Sequence, residues 1–222
     1  MSIRLYTYRE SGNSYKVRLL LAFLGLTVEE VEIDFPGREQ HGPAFLAINP
    51  RGEVPVLIDG DRTFTDSAAI LVHLADKHAG QTWWSHEAAE QAEIVDWLAF
   101  AASWIQHGVF TARAILSFQG PHDGFGIWGN ANTLAEATAR GVKSLQILEA
   151  ALETRAWLAA GRPTIADLAV FPYVALAPMG DISLEPFPAV RAWIARLRAR
   201  PGFIPIAGLD DPLYRRRPRE AA

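Results

Sequence analysis

Three short segments combine polar side chains with backbone groups that can meet a small ligand. The first is Glu10-Ser11-Gly12-Asn13-Ser14, which separates a strand-like pattern from a helical one. A hydroxyl in such a loop points at the start of the helix, where the positive end of the dipole favours a nearby anion. The same residues also suit a plain turn with Ser14 as N-cap. The second is Thr65-Asp66-Ser67, which opens another helix. The free N–H groups of a first turn form an anion site. A carboxylate can sit there with Ser67 donating to it, while Asp66 pairs with an ammonium group; simple capping is the alternative. The third is Val54-Pro55, a proline entering a strand-like run. Proline donates nothing to a ladder. A cis bond turns the Val54 N–H and C=O outward at the sheet edge, where an extended peptide can pair with them. A trans proline at the start of an edge strand is the other solution.

The patterns around these segments show what must hold them. Ile3 to Tyr8 alternates β-favouring residues, and Ser14 to Leu24 places Tyr15, Leu19 and Ala22 along one helical face. Gly25 stands where a helix C′ residue belongs. Val28 to Ile33 reads as a second strand. Val54 to Ile58 and Arg62 to Phe64 flank an Asp59-Gly60-Asp61 turn. Ser67 to His78 is helical again, so the order is βαβ then ββα, a small mixed sheet with helices on it. After His78 no strand pattern appears. Long helices are predicted from Glu87 to about Phe118, striped by Ile94, Leu98, Ala101, Ile105 and Val109, and from Thr133 to Leu158. Ile165 to Ala177 is almost wholly apolar and reads as a central buried helix. Pro188 to Ala199 is a last amphipathic helix, and the chain beyond Asp210 reads as a loose basic tail. The expected division is an α/β domain over 1–79, a linker over 80–86, an all-helical domain over 87–208 and a tail over 209–222.

Composition narrows the chemistry. Cysteine is absent from all 222 residues, so the chain supplies no disulfide, thiolate metal site or sulfur nucleophile of its own. The net charge is −4, and four of the 21 basic residues, Arg215, Arg216, Arg217 and Arg219, stand in one tail. An acidic body with so short a basic run points away from nucleic acid and membrane surfaces. The N-terminus lacks a signal-peptide pattern and no stretch suits a bilayer span, which fits a soluble cytoplasmic protein. No two histidines are spaced H-x-x-x-H, so no metal is expected. Gly124 to Gly129 spells G-x-G-x-x-G but follows a helix, the wrong context for dinucleotide binding.

Taken in order, the segments resemble the cytosolic glutathione S-transferases over nearly the whole chain. Ser11 to Arg18 looks like the active-site loop and first helix of the serine-type bacterial members, of theta, zeta or nu character. Asn49-Pro50-Arg51-Gly52-Glu53-Val54-Pro55-Val56-Leu57 is similar to the segment ending in the family's cis-proline. Asp66-Ser67-Ala68-Ala69-Ile70 matches the acidic-Ser segment that holds the γ-glutamyl group. Thr164-Ile165-Ala166-Asp167 resembles the capping box of the buried helix in the second domain.

The resemblance implies a thioredoxin-like N-terminal domain followed by a helical bundle, with glutathione as co-substrate and no metal. A free thiol has a pKa of about 8.5, and lowering it by two units needs roughly 2.7 kcal/mol of anion stabilisation. Ser11 would supply part of this by donating to sulfur, with Asn13 assisting. Val54 and Pro55 would pair with the cysteinyl unit, Asp66 and Ser67 would hold the γ-glutamyl end, and Gln40 or His41 would meet the glycine carboxylate. Tyr6 and Tyr8 stand where other classes place a catalytic tyrosine. Trp104, His107 and Phe110 would line the electrophile pocket, or serve as core or dimer contacts. Thr164 and Asp167 would be structural. The implied activity is conjugation of the thiolate to a small hydrophobic electrophile by a homodimer. Glutathione-dependent reduction of disulfides or peroxides, and a non-enzymatic binding module of the same fold, are the alternatives.

Overall fold

The computed structural model describes residues 3–118 and 131–216. Strands β1 (Ile3–Thr7), β2 (Glu29–Glu32), β3 (Val56–Asp59) and β4 (Arg62–Phe64) form one sheet in the order β2-β1-β3-β4. β1 runs parallel to β2, as the intervening helix α1 (Gly12–Leu24) requires, and antiparallel to β3. Alternation along β1 sorts its side chains. Leu5 is buried with Leu57, Leu19, Leu20, Ile70 and Leu71, beneath α1 and α3 (Ser67–His78). Tyr6 and Tyr8 face the opposite side, where Ile33, Phe45, Val54 and Val56 form a second cluster. Phe45 comes from the short helix α2 (Pro43–Leu46). Gly25 ends α1 at φ 63°, a left-handed position that glycine takes without a Cβ penalty.

The rest is helical. α4 (Ala88–Phe100) starts on Glu87, whose carboxylate accepts from the Ala89 and Glu90 N–H groups. It continues unbroken through a π-helical stretch (Ala101–Phe110), one turn of α5 (Thr111–Arg113) and a second π-helical stretch (Ala114–Phe118). The predicted stripe is buried throughout, but from Ala101 onward a wider helix carries it. α6 (Ala131–Leu152) crosses the first π stretch at two glycines. A Cβ on Gly108 would lie 2.8 Å from the Gly141 backbone, so only glycine permits this approach. α7 (Ile165–Ala175) is buried at every position, and α8 (Pro188–Arg198) seals it with Val190, Trp193 and Leu197. This is a thioredoxin-like domain followed by a helical domain.

Two expectations need correction. The helix predicted to reach Leu158 stops at Leu152, and residues 210–216 are not loose: Tyr214, Arg215 and Arg216 are hydrogen-bonded to the body. The Gly124–Gly129 motif, the loop from Gly120, Arg217 and Arg219 lie outside the described residues. Among the described residues no group of His, Cys, Asp and Glu could hold a metal ion, and no helix is long and apolar enough to cross a membrane.

Candidate functional site

Sheet register brings the loops together. Tyr6 pairs with Val56, so the turn that follows β1 lies beside the start of β3, and the Val54–Pro55 bond there is cis. Asn49, fully buried, shapes the approach: its Nδ2 donates to the Glu53 carbonyl at 2.8 Å and its Oδ1 accepts from Arg51 N–H. Gly52 sits at φ 64° against the His41 ring, which a Cβ would strike at 2.7 Å. Gln40, on the same 3₁₀ turn (Glu39–His41), is buried, and its Oε1 has no hydrogen-bond partner among the described residues.

Ser11, not Ser14, is the N-cap of α1. Its Oγ accepts from Ser14 N–H at 3.2 Å, its own N–H donates to the Tyr8 carbonyl, and its carbonyl accepts from Tyr15 N–H. Capping uses a lone pair and leaves the hydroxyl proton with no acceptor among the described residues. The displaced candidate, Ser14, is fully buried and accepts from Tyr8 N–H. Gly12 lets the α7 residue Tyr173 press against this loop, since a Cβ would stand 2.5 Å from the Tyr173 ring. The Tyr173 hydroxyl faces the Asn13 backbone N–H, and burial lifts it to about 12. Asn13 Oδ1 accepts from Lys16 Nζ at 2.8 Å. Asp66 caps α3 by accepting from Ala68 N–H at 2.8 Å, and its charge acts on Lys16. Ser67 beside it is buried.

The other flank of Ser11 is a charged knot. Glu10 is 4% exposed, and its carboxylate accepts from Tyr8 OH at 3.0 Å, Tyr214 OH at 2.7 Å and Arg215 Nε at 2.9 Å. Burial pushes this carboxyl up, but the bonds from Tyr214, Arg215 and Tyr8 outweigh it and hold it below the usual range. Burial, with Glu10 adding to it, raises Tyr8 to about 12. Arg113, buried against Phe118, reaches the Glu10 carbonyl from the far domain. Arg216 pairs with Asp181 at 2.7 Å.

Of the aromatic residues expected in the second pocket, Phe110 meets Tyr173 edge-on at 4.8 Å and so adjoins the Ser11 loop. Trp104 lies apart, between Phe100 and the Arg140 guanidinium, and His107 is exposed nearby on the π stretch. Tyr6 packs on Phe45, in the second cluster, away from the helix N-termini. In α7, Thr164 and Asp167 form a capping box, and Asp167 also accepts from Leu158 N–H and Trp193 Nε1. Sequence reasoning passed over Glu10, Lys16, Arg113, Tyr173, Tyr214 and Arg215. For Lys16 the available signal was its place one turn after Asn13 on α1.

The site thus combines a hydroxyl at the N-terminus of α1, a carboxylate at that of α3 and a cis-proline just ahead of β3. Residues 1–76 match the family profile "Glutathione S-transferase, N-terminal domain", and residues 113–201 match "Glutathione S-transferase, C-terminal domain". The chain is 31% identical to Glutathione S-transferase 2 of Schizosaccharomyces pombe, covering 89% of this chain and 91% of that one. The chain belongs to the glutathione S-transferase family. A solved structure of a possible glutathione S-transferase from Rhodopseudomonas palustris superposes with a TM-score of 0.83 at 36% identity, covering 92% and 98% of the two chains. The structure of Ure2p in complex with glutathione gives 0.79 at 28%, covering 90% and 96%. The chain spans 30% of the length of Protein URE2 of Eremothecium gossypii and 66% of Transcriptional regulator URE2 of Saccharomyces cerevisiae.

Proposed function

We propose that this protein conjugates the thiolate of glutathione to small hydrophobic electrophiles. The observation that carries this reading is Ser11: its oxygen caps α1 while its O–H remains free to donate. A sulfur placed there receives that hydrogen bond and the positive end of α1, which together favour its anionic form. Ser11 stays neutral throughout; the proton leaves the thiol for solvent and the sulfur attacks. The competing donor is already committed, since the Tyr8 hydroxyl donates to Glu10.

The remaining contacts follow the tripeptide. Val54, ahead of cis-Pro55, offers its N–H and C=O to the cysteinyl unit. Asp66 meets the γ-glutamyl ammonium, and Ser67 with the free N–H groups of α3 meets its carboxylate. Gln40 and His41 meet the glycine end, where the unpartnered Gln40 Oε1 can accept the peptide N–H. The electrophile then approaches from the side of Phe110, with His107 and Trp104 farther along the same helix. A cytoplasmic homodimer acting in detoxification is the setting this reading implies.

Isothermal titration with glutathione, followed by assay with a chromogenic aryl halide and with a glutathione mixed disulfide, tests the proposal. Uptake with aryl conjugation supports it. Turnover of the mixed disulfide alone replaces conjugation by reduction, and uptake without either reaction replaces it by a binding module.

A further inference from the structure

Lys16 is a charged residue in a place that does not suit charge. It is 6% exposed, on the face of α1 that meets α7, and its Nζ lies 5.3 Å from the centre of the Tyr173 ring. No carboxylate among the described residues pairs with it; Asp66 on α3 acts on it only from a distance. Its hydrogen bond is to Asn13 Oδ1, at 2.8 Å. A buried cation without a counter-ion is expensive to keep. Among the described residues, its one hydrogen-bond acceptor stands two residues from Ser11.

An asparagine carboxamide has an accepting end and a donating end, and a protonated lysine can only donate. The ammonium therefore captures Oδ1 and leaves Nδ2 as the end available to a ligand. For a thiolate this decides the sign of the contact, because a donor stabilises the anion and a carbonyl oxygen repels it.

We propose that Lys16 is a positioning residue for thiol activation: its ammonium locks the Asn13 carboxamide so that Nδ2 faces the sulfur of bound glutathione. This rests on the glutathione reading given above. Lys16 is not the base; the thiol proton passes to solvent and Lys16 keeps its own. Burial lowers its pKa to about 8, with Asp66 opposing the fall, so the lock weakens above neutrality. From α7 it is faced by the Tyr173 ring, whose hydroxyl in turn feels the Arg113 charge.

The test is the ultraviolet titration of the bound thiol in wild type, Lys16→Met, Lys16→Gln, Lys16→Arg, Asn13→Ala and the Lys16→Met/Asn13→Ala double variant. Loss of the ammonium should raise the thiol pKa by about one unit, which is about a tenfold loss of thiolate below that pKa. Affinity for S-methylglutathione, which has no thiol to ionise, should change less than about twofold. Lys16→Gln can bond either end of the carboxamide and should behave like Lys16→Met, whereas Lys16→Arg should recover most of the effect. In the Asn13→Ala background the Lys16→Met change should disappear. A native thiol pKa in Lys16→Gln, or an undiminished shift in the double variant, overturns the proposal. Should the wild-type protein take up no glutathione, the functional reading fails by itself. The lock is then read without ligand: the Asn13 side-chain amide resonances should move with a midpoint near 8 as Lys16 loses its proton. Resonances that stay fixed across that range contradict it.

Discussion

The two flanks of Ser11 treat buried charge in opposite ways. On the Glu10 side, one carboxylate is met by two tyrosine hydroxyls and a guanidinium, drawn from β1's exit and from the end of the chain. On the Lys16 side, one ammonium is met by a single neutral oxygen. A saturated charge has nothing left to offer a ligand and acts as a brace. An unsaturated one keeps electrostatic capacity that an incoming anion can use. The Ser11 loop is thus fastened on one side and keeps an unsaturated charge on the other.

Substitutions on the two flanks should separate stability from activity. Glu10→Ala should destabilise most, by about 3 kcal/mol in chemical denaturation, because it strands Arg215 and two tyrosine hydroxyls. Lys16→Met, by contrast, should lose less than about 1 kcal/mol or gain stability, since it removes a buried charge outright. Equal losses from the two would erase the distinction. Ser11→Ala should lower kcat about a hundredfold, or roughly 2.7 kcal/mol, and lose about 1 kcal/mol of stability with the α1 cap. Gly12→Ala should cost about 2 kcal/mol by driving a methyl into the Tyr173 ring. Tyr6→Phe should change kcat less than twofold or so; a larger drop would reassign the sulfur's donor.

Asp167 sharpens the same contrast. It too is a buried carboxylate with several donors, but all of them are neutral: Thr164 N–H, Leu158 N–H and Trp193 Nε1. Burial wins, and its pKa rises to about 6 from an ordinary 3.8. Because the folded state holds this proton more tightly, the stabilising contribution is full below about pH 4 and lost as pH rises through about 6. Glu10 has the reverse sign, since its folded pKa is depressed. Its contribution is present above the ordinary glutamate range and is lost as pH falls through the folded value. Melting curves of wild type and Asp167→Asn between those limits should therefore converge as pH falls. Parallel curves would mean that Asp167 stays charged in the fold.

Local rules reached some of this and missed the rest for identifiable reasons. Ser67–His78 was legible because an acidic cap precedes an unbroken apolar face, and Gly25 because only glycine suits that turn. The π-helical widening was not legible: Ala101, Ile105 and Val109 recur every four residues, a spacing that α and π turns both accommodate. The Gly108–Gly141 crossing on that stretch is a tertiary contact, equally beyond any local pattern. The Ser11 and Asp66 loops could be found from capping chemistry, but capping chemistry also suggested Ser14 in the wrong role. Glu10 and Arg215 are 205 residues apart in sequence, so no short-range pattern could join them.

The most direct test is a titration of the glutathione thiol bound to wild type and to Ser11→Ala. The account predicts that the wild-type protein ionises bound glutathione about two units below the free thiol's roughly 8.5. Most of that depression should vanish when the hydroxyl is removed, while the tripeptide still binds. A bound thiol that titrates at its free value in wild type, or unchanged in Ser11→Ala, contradicts it.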